Sequence, residues 1–566
     1  MPGRIDKPDA IIVGSGAGGG TAAQVLTQRG WKVVVFEKGR NRPADEFLPF
    51  DELHFREHKD LIPKISDDPM VYAGLDDRGH ARSERWWEAN MVGGTTMIWD
   101  SNLPRYTRED MQVLSVLKDP PPGASMVNWP WSYEEFQPYF EKAEHAWCVS
   151  GQANQCAAQE PTRAGYNYPM PPMREMASTD FLRKAFGKAG MTPYLSPRGI
   201  NSQTFDGRPG CSFCGFNQFF GCAANSRASS ANTVLRRALS TGRCDLRPGH
   251  YVTRLDFDRI KGRMKGVWYV TEPGGKESYL AAPLVFVSVQ TIQSARLFLL
   301  SEVPDPNKLI GRYLTYHPKA GADLVFKKQP TWTEQLGPQF QPRTAIGSLQ
   351  LRDLYVIDDR NTHLTKGGKF SIYDPYTCVT PLRQIKGAAL GPHKPNVWGR
   401  DLVEYLSELR AHGGVSFSFT GEGMSVYDNR VELDKDTTAA DGSTVKAIKD
   451  PWGLPVAKTF YHHHPYDREL CKYAMERVVG IMVDAGGELR KIDVQGEANP
   501  GYGHVHGALR AGLDPGASVV DGNCQSHTVK GLYVLDAAFM PTSGASNPSI
   551  TLIANAFRVC ENVPQP

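Results

Sequence analysis

The sequence predicts an α/β protein that begins with a βαβ unit and carries a second, α+β unit further along the chain. The first observation is an apolar run from Ala10 to Val13, followed by the turn GSGAGGG, by helical spacing in TAAQVLTQRG and by a β-branched run from Lys32 to Phe36. The second is the series of strand patterns CDLRPGHYVTRLDFD, RMKGVWYVTEPGG and APLVFVSVQ, after which TIQSARLFLLS has helical spacing. The third is the length of 566 residues, which exceeds what one compact core holds and predicts more than one domain.

The other segments extend this pattern. Residues from about 40 to 125 are rich in Pro, Asp and Arg and have little periodicity, which predicts loops and short helices. WPWSYEEFQPYFEKAEHAW predicts a helix in which Ser132 is the N-cap and Glu135 completes a capping box. DFLRKAFGKAG and ANTVLRRALSTG also have helical spacing. In the middle of the chain, strands are predicted for GADLVFKK, GVSFSFTGEG and NRVELD, and a helix is predicted for DRELCKYAMERVVGIMVDAGG. The C-terminal segment is predicted to return to a strand, LYVLDAAFMP, and a helix, ITLIANAFRVCENV.

The composition is that of a globular protein with little net charge. Hydrophobic residues make up 40% and charged residues 22%, and 64 Lys and Arg nearly balance 61 Asp and Glu. This balance argues against nucleic acid or an anionic membrane as a partner and favours a neutral or weakly charged small substrate. The N-terminus has neither the apolar stretch of a secretory signal nor a twin-arginine pair, and no apolar run reaches the length of about 18 residues that a membrane span needs. We therefore expect a cytoplasmic protein.

A dinucleotide-binding loop is predicted where the first strand meets the first helix. Gly14, Gly16 and Gly19 form G-x-G-x-x-G directly after that strand and at the mouth of that helix. The first glycine permits the tight turn, the second lets the backbone approach a pyrophosphate, and the third lets the helix pack closely on the strand. Glu37 ends the second strand at the spacing expected of an acid that binds ribose hydroxyls. These residues by themselves fit FAD and NAD equally.

Three further segments carry recognisable patterns: MVGGTTMIWDSN at 91–102, HVHGALRAGLDPGASVVDG at 504–522 and GLYVLDAAFMPTSGASNPSITLIANAFR at 531–558. Together with the glycine loop they resemble, in the same order, the glucose–methanol–choline (GMC) oxidoreductase family. The resemblance implies an α/β fold, in which an FAD-binding Rossmann-like domain is interleaved with an α+β substrate-binding domain. Within the family, WPWSYEEFQPYFEKAE, DPWGLPVAK and YHHHPYDRE are similar to bacterial sugar and polyol dehydrogenases and to pyranose and glycoside oxidases.

The resemblance also implies where the domains begin and end. The FAD-binding domain is expected over residues 1–310, with substrate-domain insertions at about 40–90 and 125–230. The substrate-binding domain is expected over 311–500, and residues 501–566 are expected to return to the FAD-binding domain with the catalytic residues.

The same resemblance implies a set of cofactor contacts. They are Gly14, Ser15, Gly16, Gly19, Glu37, Gly93, Gly94, Thr95, Thr96, Val252, Asp536 and Ser549. Val252 is expected to meet adenine through its backbone, and Asp536 to contact the ribityl or pyrophosphate part of FAD, with a helix N-cap as its alternative role. Pyranose 2-oxidase attaches its flavin through a His in the second loop. The matching place here is Met97 or Ile98, so FAD is expected to be bound non-covalently.

Two residues near the C-terminus are the predicted catalytic pair. Alcohol oxidation needs a group that receives the hydroxyl proton while a hydride leaves carbon for flavin N5, and an imidazole has a pKa suited to that task. His504 holds the position of the family's active-site His, and Asn547 that of its partner, whose amide can donate to the substrate oxygen. Taken singly, each is more often structural; their place in two matching segments favours the catalytic interpretation. His506 would point to the opposite face of an extended segment and is interpreted as structural.

Two clusters raise the question of a metal. The histidines 462–464 would alternate faces in a strand, so they rarely converge on one ion. Cys211, Cys214 and Cys222 lie in CSFCGFNQFFGC, and related sugar dehydrogenases bind an iron–sulfur cluster with a further Cys where this sequence has Asn217. Buried free thiols are the favoured interpretation and a three-iron cluster is the alternative. The absence of C-x-x-C-H argues against attached c-type haem. We predict no metal.

The predicted function is FAD-dependent oxidation of a secondary ring hydroxyl of a sugar or glycoside, at C3 or C2 of a pyranose, to a ketone. The electrons are expected to pass to O2 or to a soluble quinone-type acceptor, and the sequence does not separate an oxidase from a dehydrogenase. One alternative keeps the chemistry but takes a sterol, aryl or polyol alcohol. Another is a non-catalytic flavin subunit for electron transfer, against which the presence of His504 and Asn547 argues.

Overall fold

Two sheets organise the protein, which the computed structural model describes over residues 3–47, 69–73, 82–83, 88–155, 165–176, 178–214, 220–327, 348–373, 398–438, 441–494 and 503–565. The helices are α1 (Ala17–Gln28), α2 (Arg108–Met111), α3 (Leu114–Leu117), α4 (Tyr133–Ala146), α5 (Thr179–Lys188), α6 (Val234–Ser240), α7 (Thr291–Leu300), α8 (Arg400–Ala411), α9 (Pro465–Asp484) and α10 (Ser549–Asn562). The strands are β1 (Ala10–Val13), β2 (Val33–Glu37), β3 (Val71–Ala73), β4 (Arg82–Ser83), β5 (Tyr194–Leu195), β6 (Cys244–Pro248), β7 (Tyr251–Asp258), β8 (Arg263–Val270), β9 (Ser278–Ala281), β10 (Leu284–Val287), β11 (Thr315–Tyr316), β12 (Lys319–Phe326), β13 (Leu349–Leu351), β14 (Gly368–Tyr373), β15 (Gly413–Gly421), β16 (Arg430–Leu433), β17 (Thr437–Thr438), β18 (Thr444–Val445), β19 (Ala457–Phe460), β20 (Glu488–Val494), β21 (Val505–His506) and β22 (Leu532–Val534).

The first sheet is parallel throughout, with the strand order β22–β10–β1–β2–β6. Its central strands are apolar and buried at nearly every position, as expected of parallel strands that are covered on both faces. α1 connects β1 to β2 and packs against α6 and α10, and α4 packs against α10. The βαβ unit predicted from the first forty residues is therefore confirmed.

The second sheet is antiparallel, with the strand order β20–β12–β15–β14–β13–β5. Because side chains alternate across a strand, one face of this sheet is apolar, and it forms a separate core with α5 and α9. Smaller sheets have the orders β16–β19–β3–β4 and β7–β8–β9, and β11 pairs with β21.

Most elements predicted from periodicity are confirmed. α4 begins with the predicted capping box: the backbone N–H of Glu135 donates to Ser132 Oγ (3.2 Å), and that of Ser132 donates to Glu135 Oε2 (2.7 Å). In the stretch from about 40 to 125, α2 and α3 are the predicted short helices. β3 was not predicted there, because a strand of three residues is too short to show a period; it pairs in parallel with β19.

The division into domains stays a prediction. Within residues 125–230, β5 joins the second sheet, as an insertion of the substrate domain would. α4, in the same stretch, instead packs with the helices of the first sheet. In the part of the chain that the structure describes, no helix has the length and apolar character to cross a membrane.

Candidate active site

The first glycine loop leaves open space at the N-terminus of α1. A Cβ added at Gly19 would lie 2.0 Å from the carbonyl oxygen of Gly14, so the helix can pack this closely on the strand only with glycine. A Cβ added at Gly16 would meet nothing within 4 Å, and no side chain caps the first turn of α1. The backbone N–H groups of this turn are thus available to a phosphate that approaches Gly16.

Glu37 lies at the end of β2, beside this loop. Its Oε2 accepts hydrogen bonds from Ser15 N (3.1 Å) and Ser15 Oγ (2.7 Å), and its Oε1 accepts one from Gly39 N (2.8 Å). Burial raises the pKa of this carboxyl, while these donors lower it. An ionised carboxylate accepts about four hydrogen bonds, so these three leave capacity for a ribose hydroxyl.

The second glycine loop packs directly on the first. Gly93 N donates to Ser15 Oγ (2.9 Å), and a Cβ added at Gly94 would lie 3.3 Å from Gly16 Cα. A short 3-10 helix over Gly94–Met97 follows, in which Thr96 Oγ1 accepts from Ser230 N (2.9 Å). The structure thus brings together two predicted segments that are about eighty residues apart in sequence, as one dinucleotide site requires. In the same loop, Thr95 Oγ1 accepts from Ala89 N (3.3 Å).

The remaining predicted cofactor contacts lie on three different elements. Val252 is buried in β7, opposite Tyr269 of β8. Asp536 accepts from Ala538 N (3.0 Å) and from Ser294 Oγ, so it does cap a short 3-10 helix over Ala537–Phe539. Burial raises the pKa of Asp536 to about 6. Ser549 is the first residue of α10. Their contacts with a cofactor stay predictions.

His504 and Asn547 are in contact, although 43 residues separate them. Asn547 lies just before α10, and its Nδ2 is 3.1 Å from His504 Nε2. His504 is half-buried and has a φ of 58°, in the left-handed region. The two side chains can therefore reach one substrate oxygen together.

A third residue, which sequence reasoning missed, completes this group. His317 is fully buried between β11 and β12, and its Nδ1 is 3.0 Å from His504 Nδ1. Its Nε2 is 3.0 Å from the carbonyl oxygen of Ser543. His317 lies 187 residues before His504, and its local sequence, LTYHPK, carries no pattern that separates it from a structural His.

The expectation that His506 would point away from His504 is wrong. The rings of both residues contact His317, with centroid distances of 5.0 Å for His504 and 4.6 Å for His506. In an extended segment, side chains two positions apart lie on the same face, so alternation should have placed His504 and His506 together. His506 itself is fully buried in β21, opposite Thr315.

The surroundings of His504 and His317 keep both imidazoles uncharged. Burial lowers the pKa of His504 well below its usual range, and the nearby Lys319, His317, His506 and Lys369 lower it further. Burial also lowers the pKa of His317 well below its usual range, and His506 lowers it further. At neutral pH both imidazoles are uncharged, which is the state in which His504 can accept a proton.

The second sheet turns a polar face toward this group. Lys319 of β12 and Lys369 of β14 are both opposite Thr420 of β15, on the face away from the apolar core, and both act on the pKa of His504. The same face also carries Asp323, Gln350, Ser371, Ser416 and Ser418. A wall of hydroxyl, amide and charged groups beside a neutral imidazole suits a substrate with several hydroxyl groups.

Sequence profiles with the description GMC oxidoreductase match residues 9–319 and 440–556. The chain belongs to the GMC oxidoreductase family. The predicted family and the predicted fold class are thus confirmed. As a member of the family, this GMC oxidoreductase uses FAD and acts on the CH–OH groups of alcohols or sugars.

Similar proteins of known activity span nearly the whole of this GMC oxidoreductase. It is 26% identical to 2-methyl-1,2-propanediol dehydrogenase of Mycolicibacterium austroafricanum, over 98% of this chain and 94% of that protein. It is also 26% identical to paromamine 6'-oxidase of Streptomyces fradiae, over 98% of this chain and 91% of that protein. Its fold is similar to that of pyridoxine 4-oxidase from Mesorbium loti, with a TM-score of 0.61, 16% identity and 98% of each chain covered.

The residues present in this GMC oxidoreductase fit FAD. The open space at Gly16, the uncapped first turn of α1 and the remaining acceptor capacity of Glu37 match a pyrophosphate and a ribose. In the second loop, Ile98 is buried and apolar, and neither it nor Met97 offers the nucleophilic atom that a covalent flavin bond needs.

Residues of the cysteine cluster and of the histidine run, which were considered as metal sites, make other contacts. Cys211 and Cys222 are free thiols whose sulfurs accept from Phe213 N (3.4 Å) and Arg227 N (3.5 Å), and burial raises the pKa of Cys211 to about 11. Asn217 lies outside the described residues. The ring of His464 caps α9 through Tyr466 N. Among the residues that the structure describes, no three His, Cys, Asp or Glu side chains are placed to hold a metal ion.

Proposed function

We propose that this protein oxidises a secondary ring hydroxyl of a sugar or glycoside, at C3 or C2 of a pyranose, to a ketone. The observation that carries the proposal is the contact between His504 and Asn547, beside the polar face of the second sheet. Paromamine 6'-oxidase, whose name gives an aminoglycoside substrate, is among the relatives and supports a sugar.

His504 is the proposed proton acceptor. Its Nε2 lies beside the amide of Asn547, and its lowered pKa keeps it unprotonated and able to take the hydroxyl proton. Asn547 would donate a hydrogen bond to the same oxygen and hold it as the proton leaves. Bound FAD supplies the acceptor for the hydride that leaves the carbinol carbon.

The cofactor would be held without a covalent bond. We propose that Gly14, Ser15, Gly16, Gly19 and Glu37 bind its ADP half. Val252 would lie beside the adenine of that half. The flavin half would be held by Gly93, Gly94, Thr95, Thr96, Asp536 and Ser549. Reduced FAD would return its electrons to O2 or to a soluble quinone-type acceptor, and the relatives include both an oxidase and a dehydrogenase.

An acyclic diol is the second candidate substrate. The 2-methyl-1,2-propanediol dehydrogenase among the relatives favours it, because that name specifies a small diol without a ring. Such a substrate needs the same proton acceptor and fewer polar contacts, so it would use less of the polar sheet face.

An anaerobic screen of flavin reduction tests the proposal. Purified holoenzyme is mixed with monosaccharides, O-glycosides, C-glycosides, 2-methyl-1,2-propanediol and aryl alcohols, and the loss of flavin absorbance is followed. We expect fast reduction by a pyranose and a keto-sugar product. Reduction only by the diol or an aryl alcohol would contradict a sugar substrate, and reduction by none of them would favour an electron-transfer subunit.

A further inference from the structure

We propose that His317 is a positioning residue that holds His504 in the tautomer with its proton on Nδ1. The inference rests on the proposed role of His504 as proton acceptor. Its basis is a series of contacts that runs from a backbone carbonyl through two imidazoles to the amide of Asn547.

The direction of each hydrogen bond follows from the first. A carbonyl oxygen only accepts, so the contact with Ser543 O (3.0 Å) places a proton on His317 Nε2. A neutral imidazole has one N–H, which leaves His317 Nδ1 as an acceptor. The contact between the two Nδ1 atoms (3.0 Å) then requires the proton of His504 to lie on its Nδ1. His504 Nε2 keeps its lone pair.

The other end of the series agrees with this assignment. The amide nitrogen of Asn547, which is a donor, faces His504 Nε2 at 3.1 Å, and Nε2 is an acceptor only in the proposed tautomer. When the substrate binds, its hydroxyl can take the place of that donor and pass its proton to Nε2.

The carbonyl that begins the series is fixed in place. Ser543 O also accepts from the hydroxyl of Tyr106. Ser543 Oγ accepts from Gly423 N (2.9 Å) and donates to Glu422 Oε1 (3.0 Å). His317 and Ser543 are both fully buried. Water therefore does not compete for His317 Nε2, and the tautomer is set by the protein.

A neutral partner also distinguishes this arrangement from a His paired with a carboxylate. An anion at that place would stabilise the imidazolium and raise the pKa of His504. The neighbours with the largest effect on His504 are Lys319, His317, His506 and Lys369, and each lowers its pKa. The proton acceptor thus stays unprotonated, and active, well into acidic solution.

Two substitutions of His317 separate positioning from mere packing. In His317→Leu, His504 loses the acceptor for its Nδ1–H, and we expect the limiting rate of flavin reduction to fall by about 100-fold or more, since a wrong tautomer costs about 10⁴-fold in a Ser-His-Asp triad. His317→Gln offers an amide oxygen to Nδ1–H and is expected to recover at least about tenfold of that loss.

The measurement is the pH dependence of anaerobic flavin reduction in each holoenzyme, with His363→Leu as the control. His363 is exposed and pairs with Glu469 on the surface. Equal rates in the Leu and Gln variants would overturn the inference.

A spectrum of the wild-type holoenzyme labelled with 15N-histidine reads the tautomer without turnover. The signals of His504 are assigned by their loss in His504→Gln, and we expect a protonated Nδ1 and an unprotonated Nε2. The opposite tautomer would overturn the inference even if no His317 variant folds. Unchanged flavin reduction in His504→Ala would instead remove the proposed function and leave this tautomer measurement standing.

Discussion

Replacing His504 by alanine removes the proposed proton acceptor and leaves the cofactor loops intact. General-base catalysis contributes about 10²- to 10⁴-fold, or about 3 to 5 kcal/mol of the barrier. The structure favours the full effect, because no neighbouring imidazole can substitute. His317 is fully buried and directs its Nε2 to a carbonyl, and His506 is fully buried against the ring of His317. Asn547 remains in His504→Ala and can hold the substrate, so we expect its dissociation constant to change little.

The assay is anaerobic stopped-flow reduction of the flavin over a range of concentrations of a substrate found in the screen. His504→Ala should show the wild-type flavin spectrum and a limiting rate lower by about 10²- to 10⁴-fold. His363→Ala, which removes an exposed imidazole, is the matched control and should be unaffected. A wild-type limiting rate in His504→Ala, with flavin bound, would remove this residue from the mechanism.

Three further predictions follow from the same structure. Asn547→Ala loses the donor to the substrate oxygen and should lower the limiting rate of flavin reduction by about 10²- to 10³-fold; a change in substrate affinity alone would contradict this role. The ammonium of Lys366 is buried and lies 2.9 Å from Asp110 Oδ1. Asp110→Asn removes the carboxylate that pairs with it, so the free energy of unfolding, measured in denaturant, should fall by about 3 to 5 kcal/mol. A loss below about 1 kcal/mol would show that the pair is not desolvated. Acid precipitation of the yellow holoenzyme should release FAD to the supernatant, and colour that stays in the pellet would disprove non-covalent binding.

Local signals account for what the sequence predicted well. The strands of the first sheet, the capping box of Ser132 and Glu135, and the glycine loop each depend on residues within a few positions of one another, so their patterns are visible in the chain. The positions of His504 and Asn547 were predicted from their place in family-like segments. β3 was missed because a strand of three residues is too short to show a period, and its partner β19 lies almost four hundred residues later in sequence.

By itself the sequence determined the α/β class, the glycine loop between β1 and α1, and the family to which the chain belongs, because each depends on short motifs with local geometry. Only the tertiary structure decided what surrounds the proposed proton acceptor. His317 reaches His504 across 187 residues, and the polar wall beside them is assembled from strands that are distant in sequence. The protonation state of an imidazole depends on its neighbours in space, and no pattern along the chain records those neighbours.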